Sequence, residues 1–404
     1  MGNRSWGVRG VRGVRGVRGA AGRRAVCTLG VAAVLVAAGS GLGEAAGSPG
    51  WRVTFTTGPA TDFTHDEGLV AVGPGDAWAD FAGCQSHCSN EFFAVSHWNG
   101  RAWRNLPWPA ALHPYQQAID VVGAIGASSA SDLWVLKDNG REAGVIRWNG
   151  RSWSVSALPA WSMRINGSGD FDVVPVVSGP STAWLFSLGY IVGRTPTIAA
   201  REVNGKWEKV NLHAVPVSAI ASGPDDIWLT ATKGDRQPAH PKWMLMHWDG
   251  HRWQSQVAPT VPEPRHAFGF TSVVAVAGPD SVWAEASYVV GARTPVQHLL
   301  HWNGTKWSRV SSPPGVSFMN NFAPDGRGGL WVAGSGPAKA YRWYFYHYNG
   351  RHWFKVAVPW QAKATSGQIS FLANVPGATT MLAGGDLNLP KSGGVIGAAW
   401  QYGQ

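Results

Sequence analysis

Trp98-Asn99-Gly100-Arg101-Ala102-Trp103 decides the fold, because it returns as Trp148-Asn149-Gly150-Arg151-Ser152-Trp153 and again as Trp302-Asn303-Gly304-Thr305-Lys306-Trp307. Variants stand at Trp248-Asp249-Gly250-His251-Arg252-Trp253 and Tyr348-Asn349-Gly350-Arg351-His352-Trp353, with a copy one residue shorter at Val203-Asn204-Gly205-Lys206-Trp207. The copies begin at 98, 148, 203, 248, 302 and 348, so successive steps are 50, 55, 45, 54 and 46 residues. Asn-Gly between aromatic and β-branched residues is a hairpin turn. Hairpins repeated at that period predict the blades of a propeller.

A second marker precedes each copy: a tight turn, then a strand carrying Trp. Examples are Gly73-Pro74-Gly75-Asp76-Ala77-Trp78, Ser131-Asp132-Leu133-Trp134, Gly223-Pro224-Asp225-Asp226-Ile227-Trp228 and Gly278-Pro279-Asp280-Ser281-Val282-Trp283. Each unit therefore reads as strand a, turn, strand b, variable loop, strand c, Asn-Gly turn, strand d. The strand-b tryptophans are expected to pack between neighbouring blades, each contributing about 4–6 kcal/mol before entropy is subtracted. Asp76, Asp132, Asp226 and Asp280 read as turn caps bonded to nearby backbone amides.

Six full units occupy 66 to 360, and a seventh begins at Ile369 and continues through its third strand, Val395 to Trp400. The sequence then stops at Gln404, where strand d is due. At the other end, Gly50-Trp51-Arg52-Val53-Thr54-Phe55 reads as a strand d without a blade. The expectation is an all-β, seven-bladed propeller of four-stranded antiparallel blades, closed when the N-terminal strand completes the last blade and so removes a sheet edge.

The Val-Trp strand followed by an Asn-Gly hairpin and a second Trp resembles tectonin-type propeller repeats, most closely over 219–230 and 247–253. The aspartate turn is similar to the Asp-box of sialidase-like propellers, although the full Ser-x-Asp-x-Gly-x-x-Trp pattern is missing. The tectonin resemblance implies recognition of glycans or bacterial surface material.

Residues 1–47 read as a secretory leader: an Arg-rich low-complexity run, the apolar stretch Ala25 to Ala38, then small residues. Arg23-Arg24 leaves both the general and the twin-arginine export routes open. The domain expected to fold is 48–404, a secreted, extracellular propeller. The whole chain carries 34 basic and 24 acidic residues, net +10, but seven of those arginines and Glu44 lie before residue 48. The rest has 27 basic against 23 acidic residues, net +4. The basic field that nucleic acid needs is largely in the leader, so no nucleic-acid partner is expected. No second apolar stretch is long enough to span a membrane. The reading is monomeric, with no cofactor.

Cys84 and Cys88 are the two cysteines beyond the leader. In an exported chain they most simply form a local disulfide, worth about 2 kcal/mol for so short a loop. A metal site would recruit His87, yet two Cys and one His do not complete a tetrahedral set.

In this strand order the a–b and c–d turns share one face of the propeller, and the b–c and d–a loops share the other. The first set is short and uniform; the second is long and varied, which is where function on a rigid scaffold resides. Strand-a beginnings point from the varied face into the channel mouth, and they carry Asp66, Glu67, Asp120, Asp172, Asn320 and Asn321, with Thr271 and Gln368 beside them. Such a ring could bind sugar hydroxyls or a hard cation, or serve as a solvated funnel. The resulting reading is a binding protein for carbohydrate or a cell-surface polymer. A polysaccharide hydrolase or lyase is the alternative, with Asp80 and Glu285 at equivalent positions two beyond their strand-b Trp; a structural or protein-binding platform is a third. Tyr190-Ile191-Val192-Gly193-Arg194-Thr195-Pro196 is echoed by Tyr288-Val289-Val290-Gly291-Ala292-Arg293-Thr294-Pro295, both in b–c loops, as shared hairpin geometry or as paired ligand contacts.

Overall fold

The computed structural model describes residues 50–403 apart from 58–62, 86–89, 110–124, 139–142, 159–171, 180–181, 189–198, 234–242, 257–267, 290–294, 337–341, 361–363 and 390–393. Each Asn-Gly phrase is the hairpin between the third and fourth strands of a blade. The Asn99 side-chain oxygen accepts the N–H groups of Arg101 at 3.1 Å and Ala102 at 3.0 Å, while Gly100 takes φ 90°. Asn149, Asn303, Asn349 and Asp249 cap their turns in the same way. The Arg252 and His251 amides hold the Asp249 carboxyl down to about 2. Glycine is required at Gly250, φ 88°, where a Cβ would stand 2.5 Å from Asp225 Oδ1. The shorter copy turns differently, with Asn204 itself at φ 52°.

The first strand, β1 (Trp51–Thr56), precedes blade 1, which is β2 (Phe63–Gly73), β3 (Asp76–Gln85), β4 (Asn90–Trp98) and β5 (Trp103–Leu106). Blade 2 is β6 (Ile125–Ser129), β7 (Asp132–Asp138), β8 (Ala143–Trp148) and β9 (Trp153–Ala157); blade 3 is β10 (Asp172–Gly179), β11 (Thr182–Leu188), β12 (Ala199–Val203) and β13 (Lys206–Val210). Blade 4 is β14 (Ala214–Gly223), β15 (Asp226–Lys233), β16 (Trp243–Trp248) and β17 (Trp253–Gln256); blade 5 is β18 (Phe268–Gly278), β19 (Ser281–Val289), β20 (Val296–Trp302) and β21 (Trp307–Val310). Blade 6 is β22 (Phe318–Pro324), β23 (Leu330–Ser335), β24 (Trp343–Tyr348) and β25 (Trp353–Ala357); blade 7 has β26 (Ser366–Asn374), β27 (Met381–Asn388) and β28 (Val395–Tyr402).

The fourth strand of blade 7 is β1, antiparallel to β28 with Trp51 opposite Tyr402 and Thr56 opposite Ala398. Arg52 Nη1 caps the Gly403 carbonyl at 2.5 Å, and Trp51 stacks on Phe345 of blade 6 at 3.8 Å between ring centres. All seven sheets are antiparallel, six of them in chain order, and the innermost strands β2, β6, β10, β14, β18, β22 and β26 touch successively and close on β2. The described residues thus form the seven-bladed propeller that the repeat predicts. They include no helix long and apolar enough to cross a membrane.

The two sequence markers meet across the junctions between blades. Trp134 of blade 2 meets Trp207 of blade 3 at 5.9 Å, Trp184 meets Trp248 and Trp253 of blade 4 at 5.1 and 5.3 Å, and Trp283 meets Tyr348 of blade 6 at 5.9 Å. Trp78 likewise shares a buried cluster with Leu133, Val135 and Ile146 of blade 2, and Trp228 with Val273, Val276 and Val282 of blade 5. Apolar volume is therefore passed from each blade to the next, and the core consists of seams rather than one central mass.

Candidate functional site

Each strand-b Trp is backed by a histidine or arginine on strand c. His97, Arg147, Arg201, His247, His301 and His347 pair in register with Trp78, Trp134, Trp184, Trp228, Trp283 and Trp331. The imidazoles lie 4.2–4.5 Å from their indoles, and the Arg147 guanidinium lies 4.1 Å from the Trp134 ring. An acid completes several sets. Asp226 accepts from Trp228 Nε1 at 2.9 Å and meets His247 Nε2 at 2.8 Å; Asp132 accepts from Trp134 Nε1 at 2.9 Å and Arg147 at 3.3 Å; Asp76 meets His97 at 3.0 Å. These aspartates consequently bind side chains of strands b and c, where the sequence reading gave them backbone amides. In blade 6, Asp325 does cap backbone: burial raises its pKa, but bonds from His347 and the Arg327 and Gly329 amides outweigh this and leave it below the usual carboxylate range. All these sets are scaffold chemistry beside the tight turns.

At the opposite end, strand a bends at a repeated step. In blades 1, 4, 6 and 7 its register slips between the residues facing positions three and two beyond the strand-b Trp, or beyond Leu382 in blade 7. The extra residues are Glu67, Val217, Asn320 and Ser370. A β-bulge leaves one residue outside the ladder and re-aims the strand. Blades 6, 7 and 1 are consecutive, so the bulges at Asn320, Ser370 and Glu67 stand on three neighbouring inner strands.

Of the sequence-predicted mouth residues, Asp66, Glu67, Asp172, Asn320 and Asn321 lie on the inner strands of blades 1, 3 and 6. Asn320 is exposed and Ser370 half-buried. Asn321 is turned to the scaffold, its Nδ2 donating to the Ile369 carbonyl of blade 7 at 2.9 Å. Asp66, facing Phe81, and Asp172, facing Leu188, are placed as strand positions, Asp172 one step further out and level with Gln368. Asp120 and Cys88 lie outside the described residues, as does the Cys84 side chain, so the disulfide falls outside them too. Ser370 was missed because blade 7 carries Leu382 in place of its marker Trp, leaving strand a without its reference point.

Asp80 and Glu285 do occupy equivalent positions, on non-adjacent blades 1 and 5, but both are buried. Gln297 Nε2 bridges Glu285 Oε1 at 2.9 Å and the Met319 carbonyl at 2.8 Å, while Gln297 Oε1 accepts the Met319 amide at 2.7 Å. Burial pushes the Glu285 carboxyl up against the bonds from its neighbours. Thr230, at the same step in blade 4, accepts the Val273 amide at 2.8 Å. This step therefore serves blade-to-blade bonding. Among the described residues no group of three or more His, Cys, Asp or Glu gathers as a metal site.

No protein-family model and no characterised protein sequence matches the chain. Solved propellers do. A GH74 xyloglucanase from Xanthomonas campestris is similar over 86% of this chain, with TM-score 0.50 and 14% identity, and this chain spans 55% of that one. The propeller domain of the Trilobed protease from Pyrococcus furiosus, described as having an open velcro topology, matches 80% of this chain and 91% of its own, with TM-score 0.50 and 7% identity. The six-bladed fucose-recognising lectin from Aleuria aurantia matches 73% of this chain and 96% of its own, with TM-score 0.42 and 11% identity. At these identities the likeness to the xyloglucanase and to the protease domain establishes the propeller architecture alone.

Proposed function

We propose that this is a secreted carbohydrate-binding propeller whose recognition surface is the varied-loop mouth. The single observation that carries the reading is the arc of bulges at Asn320, Ser370 and Glu67 on three consecutive blades. Sugar hydroxyls are held by several convergent oxygen and amide groups on a rigid frame, and bulged inner strands supply such positions without disturbing the blades behind them. The tight-turn end has its polar groups committed to Asn caps and to sets joining Asp, Trp and a histidine or arginine, which leaves it little to offer a ligand. The tectonin-like phrasing, with its association with glycans, agrees with this assignment.

The test is a glycan array probed with residues 48–404, followed by titration of the best oligosaccharide. Glu67→Ala and Asn320→Ala together, and Asp120→Ala and Asp172→Ala, should each weaken binding at least tenfold with an unchanged Tm, because a lost hydrogen bond to a charged group costs about 1.5–3 kcal/mol. A protein that binds no glycan across neutral and acidic panels refutes the reading.

A further inference from the structure

The varied-loop end of the seam between blades 4 and 5 holds a second group of polar side chains, outside the channel mouth. Tyr288 is the penultimate residue of β19, His298 the third of β20, Arg309 the penultimate of β21 and Trp243 the first of β16. All four strand positions therefore lie at the same end. Ala286 pairs with His298 and Leu300 with Arg309, so Tyr288, His298 and Arg309 share one face of blade 5. That face is turned toward blade 4, since Trp283, Glu285 and Ser287 alternate to the other side and serve blade 6. From blade 4, Trp243 Nε1 donates to the Gly269 carbonyl at 2.7 Å, and Gly269 is the residue opposite Tyr288. The Trp243 ring itself lies 6.3 Å from that of Phe270 on the inner strand of blade 5.

The hydrogen bonding fixes what the group can do. Arg309 Nη2 lies 2.6 Å from His298 Nδ1, and the Tyr288 and His298 ring centres are 5.8 Å apart. A guanidinium only donates, so Nδ1 is the acceptor and the His298 proton sits on Nε2. The one lone pair of the imidazole is thereby occupied, which removes His298 as a general base and leaves it a donor. Burial, and then the Arg309 charge, keep His298 below its ordinary pKa. Arg309 is exposed and makes no ion pair with any carboxylate among the described residues. A guanidinium, an Nε2–H and a tyrosine ring therefore lie together on one face, and among the described residues no acidic side chain is paired with Arg309.

We propose that this seam is a subsite for an acidic sugar unit, its anionic group held by Arg309 and His298 and its ring set against Tyr288. The guanidinium fork suits a uronate carboxylate, and sugar faces stack on aromatic rings. The assignment rests on the carbohydrate reading above and extends it, since it requires the ligand to be an acidic polysaccharide reaching from the mouth to the outer part of one seam.

Oligogalacturonate and its fully methyl-esterified counterpart separate charge from shape. The unmodified protein should bind the acidic form at least tenfold more tightly by calorimetry. Arg309→Gln should reduce that affinity to the level of the ester with Tm unchanged, and Arg309→Lys should recover only part of it. Equal binding of the two forms, or an Arg309→Gln protein that keeps its preference, overturns the subsite. If neutral glycans still bind and Glu67→Ala with Asn320→Ala abolishes that binding, the mouth reading survives its loss. If neither neutral nor acidic saccharides bind, both fail together.

Discussion

Six of the seven seams between blades receive a strand-b tryptophan from the preceding blade, and the seventh receives Leu382. Register makes the substitution clear, because Leu382 stands opposite Ala373 and Gln401 where the others have Trp opposite an inner-strand residue and a histidine or arginine. The closing seam is nevertheless filled. Its aromatic volume comes mainly from the opposite side, from Phe81, Trp98 and Trp103 of blade 1, joined by Phe55 of β1 and gathered with Leu382, Val375 and Ala399. Phe81 presses so closely on blade 7 that a Cβ on Gly397 would lie 2.5 Å from its ring. A propeller seam therefore demands a volume, not a particular residue, and at closure most of that volume is supplied by the blade that follows.

That comparison can be broken most severely at β1. Removing residues 50–57 takes away Trp51, which is 7% exposed, and bares the long edge of β28. The expected loss is more than about 5 kcal/mol, counting a buried indole at about 3–5 kcal/mol before the edge itself. A thermal scan in which the truncated protein melts like the full one would show that the ring does not depend on its closing strand. Next, Trp184→Ala, in the seam between blades 3 and 4, should cost about 3–5 kcal/mol in urea unfolding, since Phe186, Trp248 and Trp253 cannot collapse into the void without disturbing a second blade.

The reverse exchange is subtler. Leu382→Trp restores the marker residue to blade 7, yet it should destabilise by about 1–3 kcal/mol, because the space is already taken by blade 1. A gain in stability would mean that the closing seam is underfilled. The smallest effect concerns acid. Ser281 meets His301 at 3.2 Å where blades 1 and 4 offer an aspartate, and burial holds the His301 pKa below its ordinary value. The unfolded chain then takes up that proton first, so the stability tied to His301 is complete above the ordinary histidine pKa and is lost as pH falls toward the lower folded value. Ser281→Asp should flatten the decline in Tm between pH 7 and 5; an unaltered profile would place the sensitivity elsewhere.

Blade number, strand order and ring closure were legible because Trp and Asn-Gly answer to local needs, a seam-filling volume and a positive φ, that recur wherever the unit recurs. The strand-c histidines and arginines were not. His247 is 21 residues from Asp226, with a b–c loop of unrelated composition between them, and only the pairing of strands brings them together. The mouth was half legible. Polar residues at strand-a starts mark the region, but a one-residue bulge decides which of two neighbours is displaced: Asn320 is exposed while Asn321 is spent on a carbonyl of blade 7. The seam group of Tyr288, His298 and Arg309 gave no signal beyond the repeated Tyr-x-Val-Gly phrase, since its members sit on three different strands.

The bond from Arg52 to Gly403 spans 351 residues of chain. During synthesis β1 emerges first and its partner β28 last, so at about 5–20 residues per second the segment Trp51–Thr56 waits on the order of 20–70 s for the strand it must join. Throughout that interval it is an apolar strand with both edges open, the kind of segment that pairs with the wrong chain. The same pairing that closes the finished ring delays its closure, because the seal forms only after β28 has been made.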